Sequence, residues 1–120
     1  MKNLELIFAH NMTEFDPGAE IGFIASWDLE SVPETVEVRL VWNTSGKGDR
    51  DLKVVKTIRF DSPAANDQRD VTFALPWGPY SFSGKLISVI WAIELVALPG
   101  RHSIRREITV APRGKEVVIG

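Results

Sequence analysis

The chain has 120 residues with 14 lysines and arginines against 16 aspartates and glutamates, and its formal net charge of -2 excludes both a polyanion-binding excess of basic charge and a self-repelling unfolded tail. With 44% hydrophobic and 25% charged residues it has the make-up of one globular domain over residues 1–120, long enough to bury about two-thirds of the unfolded chain's surface. The absence of cysteine excludes a disulfide framework, a thiolate nucleophile, a zinc–thiolate site and an iron–sulfur cluster.

In chain order, Met1 to Asn11 carries one lysine and one glutamate and lacks the roughly 7–15-residue apolar run of a signal peptide, so it reads as mature protein and points to a cytoplasmic location. Leu4 to Phe8 reads as a first strand. Alternate apolar residues then mark Ile21, Phe23, Ala25 and Trp27, and again Val36, Val38, Leu40 and Trp42, with Glu37, Arg39 and Asn43 on the opposite face. Lys53 to Asp61 places Val54, Ile58 and Phe60 on one side and Lys53, Thr57 and Arg59 on the other. Val71, Phe73 and Leu75 form a shorter strand.

Leu86 to Leu98 is apolar on both faces, which predicts a central strand. Its 13 residues, interrupted by Glu94, fall short of the roughly 20 that span a bilayer as a helix. Ile104, Ile108 and Val110 alternate with Arg105, Glu107 and Thr109, and Val117 to Ile119 is a last strand with little to protect its edge. Its neighbour is expected to be the first strand, or the same strand of a second copy in a homodimer built by edge-strand pairing.

Turn signals separate these runs at Asp16-Pro17-Gly18, Val32-Pro33, Thr44 to Asp51, Ser62-Pro63, Pro76 to Gly84 and Pro99-Gly100, and no window sustains helical periodicity. The fold class that follows is all-β: an antiparallel two-sheet sandwich of about seven or eight strands rather than a closed barrel. Trp42, Phe60, Phe73, Phe82 and Trp91 are expected to be mostly buried between the sheets.

One stretch resembles a known superfamily. Leu75-Pro76-Trp77-Gly78-Pro79-Tyr80-Ser81-Phe82-Ser83-Gly84 is a proline-led loop ending in a Ser-Phe-X-Gly turn, and it opens a strand carrying Ile87, Val89, Trp91 and Ile93. With Arg105 to Val110 beyond it, this is similar to the arrestin-like, immunoglobulin-like β-sandwich superfamily over about 35 residues. The resemblance implies a single arrestin-like sandwich. Because its motif consists of packing and turn residues, it implies no activity, and a trafficking-scaffold role is not carried over.

No constellation of catalytic or metal-binding residues stands out. His10 and His102 are the only histidines and lack ligand spacing. Met1 to Glu37 holds eight carboxylates and one lysine, net -7, which leaves +5 for the rest. Of these, Asp16, Asp28 and Glu30 could be read as a calcium site, but without an Asp-X-Asp pattern they read as solvated turn and strand-edge acids. Thr44 to Asp49 lacks phosphate-loop spacing and reads as a hairpin loop. The basic segment Arg101 to Lys115 has no aromatic residue for base stacking, so nucleic acid is not expected as a partner.

The candidate partner-binding residues are therefore Trp77 and Tyr80, in a loop where they either present themselves for recognition or plug the sandwich's open end, and Arg105 and Arg106 on a basic strand edge. The sequence points to a non-enzymatic protein-binding or assembly module with an unknown protein partner, no cofactor, no metal site and no membrane span. The alternative is a metal-dependent or hydrolytic enzyme built on the loops. Against it stands the lack of a nucleophile–base pair and of a Gly-X-Ser-X-Gly elbow.

Overall fold

The computed structural model describes residues 3–46, 51–83, 87–100, 102–112 and 117–118; Gly84 to Leu86 of the superfamily-like motif, and Ile119, lie outside them. Ten strands are present among the described residues: β1 Asn3–Phe8, β2 Glu14–Phe15, β3 Glu20–Asp28, β4 Thr35–Gly46, β5 Leu52–Asp61, β6 Asn66–Ala74, β7 Phe82–Ser83, β8 Ile87–Leu98, β9 His102–Val110 and β10 Val117–Val118. β1, β3 and β6 form one sheet in that order. The other seven form a second sheet, in which β8 has β4 and then β5 on one side and both β7 and β9 on the other. The long pairings are antiparallel, while β2 joins β9 and β10 joins β7 in short parallel contacts.

This is the all-β two-sheet sandwich that the sequence predicts. β2 and β7 are the two strands it does not predict, because two residues leave no periodicity. A 3₁₀ turn spans Ala9–Asn11, and no helix among the described residues is long and apolar enough to cross a membrane.

The core lies where alternate residues of both sheets meet. β3 contributes Ile21, Phe23, Ala25 and Trp27, β4 contributes Val36, Val38 and Leu40, and β8 contributes Val89, Trp91, Ile93 and Leu95, all buried. Trp27 and Trp91 are completely enclosed, and each indole N–H finds a carbonyl, Ala64 for Trp27 and Pro79 for Trp91, both at 2.9 Å. β8 is central, as its two-sided apolar sequence predicts: it pairs with β4 over its whole length, from Ile87 to Leu98.

Four expectations are corrected. Val54 points away from the core at 46% exposure, because a β-bulge between Leu40 and Val41 pairs Val54 with Val41 and Lys53 with Trp42, and Val55 packs inward instead. Trp42, Phe60 and Phe82 are half-buried rather than mostly buried. Trp42 sits between Trp91 and edge residue Lys53, Phe60 lies on an edge strand, and Phe82 belongs to a two-residue strand. β6 begins at Asn66, five residues before the apolar run, since the polar half of an edge strand pairs through its backbone alone. The neighbour of Val117–Val118 is β7 of the same chain, not the first strand.

On one side of the sandwich the two edge strands are tied across the gap. The Lys56 ammonium on β5 donates to the Ala74 carbonyl of β6 at 3.0 Å, and the Arg69 guanidinium of β6 lies 5.1 Å from the Phe60 ring centre on β5. An inward-directed lysine and a bulge on the same edge strand both discourage further strands from adding there.

Truncating Trp91 to alanine is expected to cost about 3–5 kcal/mol and lower the urea midpoint accordingly, whereas Trp42→Ala, from a half-buried site, should cost less. Equal midpoints for Trp91→Ala and the parent chain would remove Trp91 from the core.

Candidate functional site

The loop between β6 and β7 is held by the turn that links β2 to β3 and by two strands of the large sheet, β8 and β9. Asp16-Pro17-Gly18-Ala19 closes with the Ala19 N–H donating to the Asp16 carbonyl at 3.2 Å, and Gly18 has φ of 78°. Proline second and a positive-φ glycine third is the pattern of a type II turn. The turn holds the loop's near end: the Gly18 N–H donates to the Pro76 carbonyl at 3.2 Å and the Leu75 N–H to the Ala19 carbonyl at 2.8 Å.

The far end is held by the large sheet. The Trp91 indole N–H donates to the Pro79 carbonyl, and the buried Ser81 bonds Val110 twice, its N–H donating to the Val110 carbonyl at 2.7 Å and its Oγ accepting from the Val110 N–H at 2.9 Å.

Trp77 stands on this frame 78% exposed, with its six-membered ring laid on Gly18. A Cβ on Gly18 would come within 2.7 Å of Trp77 Cε2 and Cζ2, so glycine is required there for the close approach as well as for the backbone conformation. Tyr80 is 41% exposed in the same loop. The two aromatics are therefore presented, and buried Leu75 and Pro17, rather than they, occupy the interior beneath. The sequence names Trp77 and Tyr80, but Gly18, Ser81 and the Trp91 N–H as their supports become legible only through strand pairing.

Arg105 and Arg106 are parted by strand alternation. Arg105 lies on the outer face of the large sheet, where it bonds Glu94 Oε2 at 3.3 Å and Asn43 Oδ1, with Glu107 at 4.0 Å. Because Arg105 faces Glu94 in the register while Asn43 faces Ile90, its side chain crosses the row of Val41 and Ala92, which accounts for these outward apolar residues having no exposure. Arg106 points to the other face, with its guanidinium 5.4 Å from the Phe8 ring centre. The four candidates thus occupy three places, and only Trp77 and Tyr80 come together.

The acids weighed as a calcium site are separated too: Asp16 is at the aromatic end, and Asp28 and Glu30 are at the opposite end of β3. Among the described residues no three His, Asp or Glu side chains converge as metal ligands. Thr44 and Asp51 close the β4–β5 hairpin by two hydrogen bonds, as the hairpin-loop reading expects; Lys47 to Arg50 lie outside the described residues.

The architecture is that of an arrestin-like β-sandwich. Among solved structures the chain is similar to Spo0M, a sporulation control protein from Bacillus subtilis, with 18% identity and a TM-score of 0.62 over 92% of this chain and 49% of that one. The chain thus spans about half the length of the Spo0M chain it matches. A second likeness, to a β-glucosidase from Listeria innocua solved in complex with gluconolactone, has 16% identity and a TM-score of 0.49 over 97% of this chain and 16% of that one. No protein-family model matches the sequence, and no curated protein does.

Gly18→Ala is expected to cost about 1–2 kcal/mol for the left-handed backbone, plus a further loss from displacing the Trp77 ring. In a double-mutant cycle with Trp77→Ala, that further loss should vanish, so the two costs should not add. Additive urea midpoints would show that the indole does not rest on Gly18.

Proposed function

We propose that the chain is a non-enzymatic, cytoplasmic protein-binding module that grips its partner through Trp77 and Tyr80. One observation carries this reading: Trp77 is 78% exposed although its loop is fixed by backbone and side-chain hydrogen bonds to Gly18, Trp91 and Val110. An exposed tryptophan on a mobile loop would lose conformational freedom on binding, and that cost offsets much of what its area contributes. Held as it is here, the ring can be covered by a partner with little ordering left to do, and tryptophan and tyrosine are the side chains most enriched at interface hot spots. The cysteine-free composition fits a reducing compartment.

A photo-crosslinking residue in place of Tyr80 tests the reading inside cells. One dominant adduct is expected, displaced by excess unlabelled parent chain. Trp77→Ala should displace it with at least about 30-fold lower potency, the effect of losing a hot spot worth about 2 kcal/mol. Equal competition by parent and Trp77→Ala would rule out the aromatic loop as the grip.

A further inference from the structure

The outer face of the three-stranded sheet has no role in the reading above, and its chemistry is one-sided. Strand alternation turns Glu5 of β1, Glu20 and Asp28 of β3, and Asp70 of β6 outward. No lysine, arginine or histidine of these strands shares that face, because Arg69 is turned the other way, toward Phe60. The contrast with the large sheet is direct. There Glu37 takes Arg39 at 2.7 Å and Glu94 takes Arg105. At the inner side of β6, Asp67 is held below the ordinary carboxylate range by a hydrogen bond from Arg69 and then one from the Gln68 N–H.

In the middle of this acidic face is an apolar depression of about 310 Å³, lined by Ile7, Gly22, Ile24, Asp70 and Thr72 among others. Ile7 is 44% exposed, and the row Ile7–Ile24–Asp70 runs straight across the three strands. Gly22 forms the adjoining floor, opposite Thr72. Nothing in the fold asks for glycine here. Its φ is not in the left-handed region, and a Cβ would meet its nearest neighbours only at 4.0 Å. A glycine inside a strand weakens it and often marks a bulge, a bend or a close approach by another molecule; the β3–β6 register runs through Gly22 without a shift, so there is no bulge here.

We infer that this face is a second docking surface, whose occupant is a basic segment of a partner protein carrying an aliphatic side chain between lysines or arginines. The aliphatic group fills the depression over Gly22, and the cations meet Asp70, Glu20 and Glu5 around it. Charge complementarity selects that occupant: an acidic segment would face four carboxylates with no basic side chain of these three strands among them, and a neutral apolar one would leave the rim unanswered. The surface is separate from the aromatic loop and does not depend on it.

The test titrates the full chain with two capped peptides, Lys-Leu-Lys-Leu-Lys and Lys-Ser-Lys-Ser-Lys, while amide NMR signals are followed. The leucine peptide should bind at least about tenfold more tightly, shift the signals of Gly22, Ile24 and Thr72 and leave those of Trp77 and Tyr80 in place. Its binding should weaken as salt is raised. Gly22→Val should keep or raise the melting temperature while reducing leucine-peptide affinity to that of the serine peptide, and Asp70→Lys, on an exposed position, should weaken both peptides. Equal affinities of the two peptides, shifts centred elsewhere, no binding of either peptide, or a Gly22→Val chain that binds as the parent does would each overturn the proposal.

Discussion

The indole of Trp91 joins the two halves of this structure. Its ring fills the middle of the core from the central strand, and its one polar atom is spent on the Pro79 carbonyl of the aromatic loop. A buried N–H left without a partner costs about 1–3 kcal/mol, so any loop conformation that releases Pro79 is penalised through the core itself. The loop is therefore as firm as the packing around Trp91. The same economy recurs at Ser81, which is buried and bonds Val110 through both backbone and hydroxyl. An exposed aromatic pair thus rests on a loop tied into the core at Trp91 and Ser81.

The borders of the sandwich obey a related constraint, since every open sheet must do something with its edges. Where β5 and β6 face one another, Lys56 and Arg69 cross between the sheets and the bulge at Val55 twists the edge. On the β9 border the chain supplies its own short strand: Thr13 and Phe15 carbonyls accept the N–H groups of Thr109 and Ala111. The outer face of the large sheet needs covering too, because Val41 and Ala92 point outward from it. Arg105, stretched from β9 to Asn43, supplies that cover with its aliphatic stem and is at the same time paired with Glu94. Arg105 is thus engaged with Glu94 and Asn43, while the guanidinium of Arg106, one position on, lies over the Phe8 ring.

These features also show where sequence reading ends. Alternation in Ile21 to Trp27 and in Val36 to Leu40 places those side chains correctly, because a half-buried strand between two neighbours has no freedom to depart from period two. The two-sided apolar run of β8 likewise can only be central. Alternation misplaces Val54, because one inserted residue in an edge strand reverses every face beyond it and leaves no mark in composition. It also misses β2 and β7, which exist because β9 and β8 offer them a backbone to pair with and not because of anything in Glu14–Phe15 or Phe82–Ser83. For the site, tryptophan and tyrosine in a proline-rich loop were legible as residues, but not their exposure. For Trp77 that depends on Gly18, which lies about sixty residues upstream in sequence and under the indole in space.

The asymmetry of charge along the chain takes on a spatial meaning in the fold. Of the acids concentrated before residue 38, Glu5, Glu20 and Asp28 are gathered with Asp70 on the outer face of the small sheet, whereas Glu37 is neutralised by Arg39 on the large one. A difference between two ends of the sequence has become a difference between two faces of the molecule. Under the two proposals above, the acidic face and the aromatic loop meet at a corner, since Gly18 beneath Trp77 precedes Gly22 by four residues. An extended chain rises about 3.3 Å per residue, so the two glycines lie at most roughly 13 Å apart. A single partner covering about 800 Å² would reach across that distance, with its apolar anchors on Trp77 and in the Gly22 depression and its basic residues on the carboxylates between and beside them. One binding event would then use both surfaces, and the rigidity that Trp91 gives the loop would fix the angle at which they meet.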